Sequence, residues 1–72
     1  MASPWWKQGD LVIGTAVCPR TPDAGRTYSL SPAAHGRYNV TLAGLGLVGS
    51  GSSLTAAKRV ASRDARNVGC KF

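Results

Sequence analysis

The sequence predicts an α+β fold, in which a small antiparallel sheet of about three strands is covered on one face by a C-terminal α-helix. Three observations predict it. Residues 11–18 alternate between two faces, residues 37–49 carry a hairpin pattern, and apolar residues recur at helical spacing from Leu54 to Asn67. With 72 residues the chain has room for one small domain. We expect this domain to span residues 10–72, after an N-terminal arm of residues 1–9.

The first strand is predicted over residues 11–18. One face would carry Leu11, Ile13, Thr15 and Val17, and the other Val12, Gly14, Ala16 and Cys18. Residues 19–25 contain prolines, an aspartate and a glycine, which predicts a loop. Residues 27–30 are a candidate short strand before a turn at residues 31–36, so the element order is β–β–β–α or β–β–α.

A hairpin is the clearest local pattern. Tyr38, Val40 and Leu42 alternate with polar or charged residues, and Ala43-Gly44 is predicted to be a two-residue turn because glycine tolerates positive φ. Residues 45–48 would then form the returning strand. The predicted core between hairpin and helix consists of Tyr38, Val40, Leu42, Leu47, Leu54, Ala57 and Ala61.

The helix is predicted from Leu54 to about Asn67, capped by Ser52 or Ser53 and followed by Gly69. At 100° per residue its apolar face would carry Leu54, Ala57, Ala61, Ala65 and Val68, with Val60 at the edge. Arg59, Arg63 and Arg66 fall on the opposite face.

Residues 52–72 carry five basic residues and one acid, and the whole chain has a net charge of +6. Such a stripe suits phosphates or an acidic protein patch, whereas the alternative is a solvated face that keeps the protein in solution.

Two further features have a functional and a structural interpretation. Trp5 and Trp6 are either a partner-binding anchor, or one ring closes the open end of a small core and the other half-covers it. The segment before the helix is a candidate phosphate contact, because glycine-rich backbone and a helix N-terminus attract anions; otherwise it is an ordinary flexible loop with a helix cap. Its residues are Gly49, Ser50, Gly51, Ser52 and Ser53.

The sequence predicts no enzyme, cofactor or metal site. The chain has no glutamate for paired-carboxylate chemistry, one histidine (His35), and no G-x-S-x-G motif. Residues 44–49 match G-x-G-x-x-G, but that motif opens a helix in dinucleotide-binding proteins, and here it overlaps a predicted strand.

The two cysteines, Cys18 and Cys70, are too few for a disulfide framework and lack C-x-x-C spacing. With no export signal and no membrane span predicted, we expect free thiols, no membrane partner and a location in the cytoplasm of a bacterial host.

The segment of residues 53–64 begins with the pattern Ser-Leu-x-x-Ala-Lys-Arg-x-Ala-Ser and continues with Arg63 and Asp64. This segment resembles the helix of small phage-encoded anti-CRISPR proteins that inhibit type I surveillance complexes. The resemblance implies a helix on a small antiparallel sheet, and docking on the backbone subunits that hold the crRNA, which blocks hybridisation of target DNA. It covers twelve residues, and it carries over Lys58, Arg59 and Arg63 as partner contacts. Upstream of Ser52 the chain departs from that family, and here the helix comes last.

Three hypotheses of function follow. The first is a small, basic, non-enzymatic phage-type protein that binds and inhibits a host nucleoprotein complex through Lys58, Arg59, Arg63 and Arg66, with Trp5 and Trp6 as an apolar anchor. The second is a module that binds DNA or RNA directly with its basic helix face. The third is a structural or assembly protein that forms a homo-oligomer, because the predicted sheet leaves one face uncovered.

Overall fold

The computed structural model describes residues 5–19 and 25–72. They form one antiparallel sheet and one helix that packs on it, which confirms the α+β class. The sheet has five strands where the sequence predicted about three, and each strand pairs with the next along the chain. The strands are β1 (Trp5–Gln8), β2 (Leu11–Ala16), β3 (Arg26–Pro32), β4 (Tyr38–Leu42) and β5 (Gly46–Gly51). A short 3₁₀ turn (Ala34–Gly36) lies between β3 and β4. The helix α1 spans Leu54–Asn67.

The additional edge strand, β1, lies in the segment predicted to be an arm. Trp6 pairs with Ile13, and Gln8 pairs with Leu11 across a two-residue turn at Gly9 and Asp10. Gly9 has a φ of +62°, which this turn requires. A Gly-Asp pair between two strand-like segments is a hairpin signal, so the sequence contained the information for β1.

The register of β2 to β4 gives the sheet two different faces. The face toward α1 buries the large side chains Tyr28, Leu30 and Val40, together with Leu42 and Ala16. The alternation predicted for β2 is confirmed, since Gly14 and Ala16 are buried on this face. On the other face no described element packs, and none of its residues carries a charge. These residues are Trp6, Gln8, Leu11, Ile13, Thr15, Thr27, Ser29, Ser31, Asn39, Thr41, Leu47 and Ser50.

Leu47 was expected in the core, and this prediction is wrong. The loop after β4 holds three residues, not the predicted two, so Leu42 pairs with Gly46 and Thr41 pairs with Leu47. Leu47 therefore shares the uncovered face with Thr41 and is 68% exposed. A register shift between Val40 and Thr41 then leaves Val48 as an extra residue in β5, and such a bulge changes which residues face the core.

The helix forms where the sequence predicted it. The Ser53 hydroxyl oxygen accepts a hydrogen bond from the backbone N–H of Ala56 at 3.2 Å, which caps the first turn. Beyond the last turn, Gly69 has a φ of +78°, and the N–H groups of Gly69 and Cys70 bond back to the carbonyls of Arg66 and Ala65. This is a Schellman motif, which satisfies carbonyls that the helix end would otherwise leave open.

A layer of small residues brings α1 against the sheet. Ala57, Ala61 and Ala65 are completely buried. At Gly51 there is no room for a side chain, because a Cβ atom would lie 2.3 Å from the backbone nitrogen of Ala57. At Gly49 a Cβ atom would lie 2.7 Å from a methyl group of Val60. Helix and strand therefore touch backbone to backbone.

Aromatic rings fill the part of this face that α1 does not cover. The Trp5 ring lies over Gly14, where a Cβ atom would lie 2.4 Å from the ring. Phe72 stacks on Trp5 with 4.7 Å between ring centroids, and Tyr28 lies tilted at 5.5 Å from Phe72. The C-terminal residues thus complete the core beside the helix.

A disulfide joins Cys18, just after β2, to Cys70, just after α1. The prediction of free thiols is therefore wrong. The two cysteines are 52 residues apart in sequence, and the folded chain brings them together because residues 17 and 71 pair as an antiparallel bridge with N···O distances of 2.7 and 2.9 Å. No local spacing could reveal a pairing that depends on where α1 ends over the sheet.

We predict that Gly51→Ala lowers the free energy of unfolding by at least about 2 kcal/mol, because its methyl group forces the backbone of α1 away from β5. Urea denaturation measures the effect. The neighbouring exposed substitution Ser50→Ala is the control and should stay within about 0.5 kcal/mol of the wild type. Equal stabilities of the two variants would mean that α1 does not touch β5 at Gly51.

We predict that reduction of the Cys18–Cys70 disulfide lowers the free energy of unfolding by about 2–4 kcal/mol, since it releases a long loop in the unfolded chain. Denaturation curves with and without a thiol reductant measure the loss. The Cys18→Ala/Cys70→Ala variant should be insensitive to the reductant. Alkylation of both cysteines in the denatured, unreduced protein would show that the bond is absent.

Candidate functional site

Three arginines on α1 form a ridge that points away from the sheet. Arg59, Arg63 and Arg66, here named the arginine ridge, are all exposed, whereas the alanines on the other side of the helix are buried. The predicted separation of a basic face from an apolar face is therefore present. From Arg59 to Arg66 the ridge extends for about 10 Å along the helix axis. Arg66 lies in the last turn, where a cation is also favoured by the helix dipole.

Two adjoining clefts border the ridge. The first, of about 220 Å³, is lined by Arg59, Ser62, Arg63 and Arg66. The second, of about 530 Å³, is lined by Ser62, Arg66, Gly69, Cys70, Lys71 and Phe72. Both clefts include Ser62 and Arg66, so they adjoin, and the two clefts together are here named the basic groove. It brings four cationic side chains together with one aromatic ring.

The acid of the helix, Asp64, does not neutralise the arginine ridge. Its carboxylate accepts a hydrogen bond from the Tyr28 hydroxyl and one from Arg26 at 3.2 Å. Arg26 also donates from Nε to the Tyr28 oxygen at 3.1 Å. Burial raises the pKa of the Tyr28 phenol, and its hydrogen bond to Asp64 raises it further. These hydrogen bonds link α1 to β3, and they hold the Asp64 carboxylate on the side of the helix that faces the sheet.

Lys58 lies apart from the ridge. It is half-buried, and its Nζ atom is 6.0 Å from the centroid of the Trp5 ring. The residue was predicted as a partner contact together with the arginines, but the structure places it on the flank of the helix above the aromatic residues. Lys71 and Phe72 border the groove instead, and sequence reasoning did not single them out. Their positions beside α1 depend on the Cys18–Cys70 disulfide, so no local pattern in the sequence could have indicated them.

The two adjacent tryptophans do not form one anchor. Successive residues of a strand point to opposite faces, so Trp5 packs between sheet and Phe72 while Trp6 is 48% exposed on the uncovered face. The predicted joint anchor is therefore wrong in its geometry. The structural interpretation of Trp5, a ring that closes the open end of the core, describes its position.

The glycine- and serine-rich segment before α1 is mostly strand. Gly49, Ser50 and Gly51 belong to β5 and pair with β4. They therefore do not form a flexible loop whose backbone N–H groups could point together at a phosphate. Ser53 caps the helix. Only Ser52 and Ser53 of the predicted phosphate segment lie outside the strand, at the helix N-terminus.

The remaining candidates lie apart from the groove. His35 is exposed in the 3₁₀ turn between β3 and β4, with a φ of +60°. Over residues 5–19 and 25–72 the structure shows no cluster of three or more histidine, cysteine or acidic side chains that could hold a metal ion. The one helix in those ranges is too short and too polar to cross a membrane.

Comparison of the chain with known protein families, with curated proteins and with solved structures finds no match. The resemblance of residues 53–64 to anti-CRISPR proteins stays a prediction that rests on those residues.

We predict that Tyr28→Phe lowers the free energy of unfolding by about 1–3 kcal/mol at pH 7, because the variant loses a hydrogen bond to the Asp64 carboxylate. Tyr38→Phe, a change at a half-buried tyrosine, is the control.

The same pair of variants gives a pH signature. Since the pKa of Tyr28 is raised in the folded protein above its ordinary value of 10.0, the unfolded chain releases the phenolic proton first as the pH rises. Wild-type stability should therefore fall above about pH 10, and Tyr28→Phe should remove this part of the fall while Tyr38→Phe keeps it. Identical profiles for both variants would contradict a raised pKa of Tyr28 in the folded protein.

Proposed function

We propose that this protein is a small, non-enzymatic inhibitor that docks through its arginine ridge on a phosphate-bearing surface of a host nucleoprotein complex, in the manner of an anti-CRISPR protein. The observation that carries the proposal is the ridge itself: three exposed guanidinium groups on one helix face, while the acid of that helix is bonded to Tyr28 and Arg26. Guanidinium groups bind phosphate oxygens in a bidentate manner, which makes arginine the preferred residue for such surfaces.

Binding to nucleic acid without a protein partner is the second candidate. The basic groove favours it, because Arg59, Arg63, Arg66 and Lys71 line two adjoining clefts and a nucleic acid carries a regular series of phosphates. Contacts of this kind position a ligand and carry no sequence information directly. This candidate therefore implies binding with little base-sequence preference.

The proposed location is the bacterial cytoplasm, where thiols are kept reduced. The argument from free thiols that first led to this location no longer holds, since Cys18 and Cys70 are joined. A cytoplasmic inhibitor must then keep its fold and its binding activity with both thiols reduced. Binding measured in the presence of a reductant tests the location together with the function.

We predict that Arg59→Ala/Arg63→Ala weakens binding to a short nucleic acid and reduces the slope of log affinity against log salt concentration by up to about two units, one for each lost phosphate contact. Exposed arginines contribute little to stability, so melting should hardly change. Lys7→Ala/Arg37→Ala removes two exposed cations elsewhere and is the matched control. If both double variants bind like the wild type, the ridge is only a solvated surface.

Affinity capture from a bacterial lysate, with and without nuclease, separates the two candidates. A nucleoprotein complex that the wild type retains after nuclease treatment, and that Arg59→Ala/Arg63→Ala fails to retain, supports inhibition of a host complex. Loss of every partner after nuclease treatment supports direct binding to nucleic acid. Inhibition itself is then measured as the loss of target-DNA binding by the purified complex.

A further inference from the structure

We infer that the basic groove binds single-stranded nucleic acid, with the arginine ridge on successive phosphates and one unpaired base stacked on Phe72. The inference rests on the proposed function, because it uses the ridge as the phosphate contact. It adds a base-binding position and the strandedness of the ligand, neither of which follows from the ridge alone.

The first observation is that charge and an aromatic ring share one concave surface. Arg66 and Ser62 line both clefts, so the cleft with Arg59 and Arg63 adjoins the cleft with Lys71 and Phe72. The larger cleft, of about 530 Å³, lies within the range of roughly 300–1,000 Å³ that small-molecule sites occupy. A strand whose phosphates follow the ridge therefore has room to place a base at its end.

The second observation is that the Phe72 ring is held in place. One side stacks on Trp5 at 4.7 Å, and Tyr28 packs against it at 5.5 Å. The backbone before it is held by the paired residues Val17 and Lys71, with N···O distances of 2.7 and 2.9 Å. An ordered ring loses little conformational entropy when a base stacks on it, which favours binding.

The combination of exposed arginines with an aromatic ring favours single-stranded nucleic acid over a duplex or an acidic protein as the ligand. In a duplex, neighbouring pairs cover both faces of each base, so only an unpaired base offers a face to an aromatic side chain. Carboxylates of an acidic protein patch would pair with the arginines but offer no flat ring to stack on Phe72, whereas a single strand supplies both phosphates and bases. Cationic grooves with stacking rings are the common design of proteins that bind single strands.

The test uses three fluorescein-labelled probes with the full-length protein: a 12-nucleotide oligothymidine, an abasic 12-mer with the same number of phosphates, and a 12-base-pair duplex. Fluorescence anisotropy at fixed salt gives their affinities. We expect the wild type to bind oligothymidine at least about fivefold more tightly than the abasic strand, since one stacked base contributes that much or more. The duplex should bind more weakly than oligothymidine.

Variants assign this base dependence to Phe72. Phe72→Leu keeps an apolar side chain but removes the ring, so the ratio of the two affinities should fall toward one. Phe72→Trp should keep the ratio. Tyr38→Leu removes an aromatic ring that does not line the groove and should leave the ratio unchanged. Because each ratio compares two probes on the same protein sample, partial loss of folded protein does not alter it.

The outcomes separate the inference from the proposed function. Equal affinity of the wild type for oligothymidine and the abasic strand, with weaker binding by Arg59→Ala/Arg63→Ala, overturns the base site and leaves the ridge as a phosphate contact. Tightest binding to the duplex also overturns the inference. An unchanged ratio in Phe72→Leu overturns the assignment to this ring. Failure of every probe to bind overturns both direct nucleic-acid contact and the base site.

Discussion

The close contact between α1 and β5 is the constraint on which the rest of the molecule depends. Gly51 leaves no room for a Cβ atom beneath Ala57, and the three buried alanines keep the helix at that short distance. Once the alanine stripe is fixed against the sheet, helical geometry places Arg59, Arg63 and Arg66 on the far side. An exposed surface of long cationic side chains therefore follows from a core of very small ones.

The candidate site combines two consecutive parts of the chain that are held by different interactions. The arginine ridge belongs to a capped helix, whereas Lys71 and Phe72 belong to a tail held by the disulfide and by the pairing of residues 17 and 71. The aromatic residues that close the core also provide the ring at one end of the groove. Phe72 thus packs against the core and also lines the groove.

Local patterns in the sequence predicted the elements whose causes are local. The helix, its serine cap, its glycine stop and the two faces of β2 depend on neighbours within a few residues, and all four are present. Leu47 was misplaced because one added loop residue and a bulge shift the side chains of β5 between faces. The Cys18–Cys70 bond and the separation of Trp5 from Trp6 depend on contacts across the whole sheet, which no short pattern encodes.

The order of elements along the chain has a consequence for folding. Each strand pairs with its sequence neighbour, so the sheet can form through short loops as the chain is synthesised, and local pairing of this kind is fast. Yet the helix that covers Tyr28, Leu30 and Val40 comes after all five strands. A folding intermediate in which α1 has not yet docked therefore exposes an apolar sheet face, and it stays aggregation-prone until residues 54–72 cover that face.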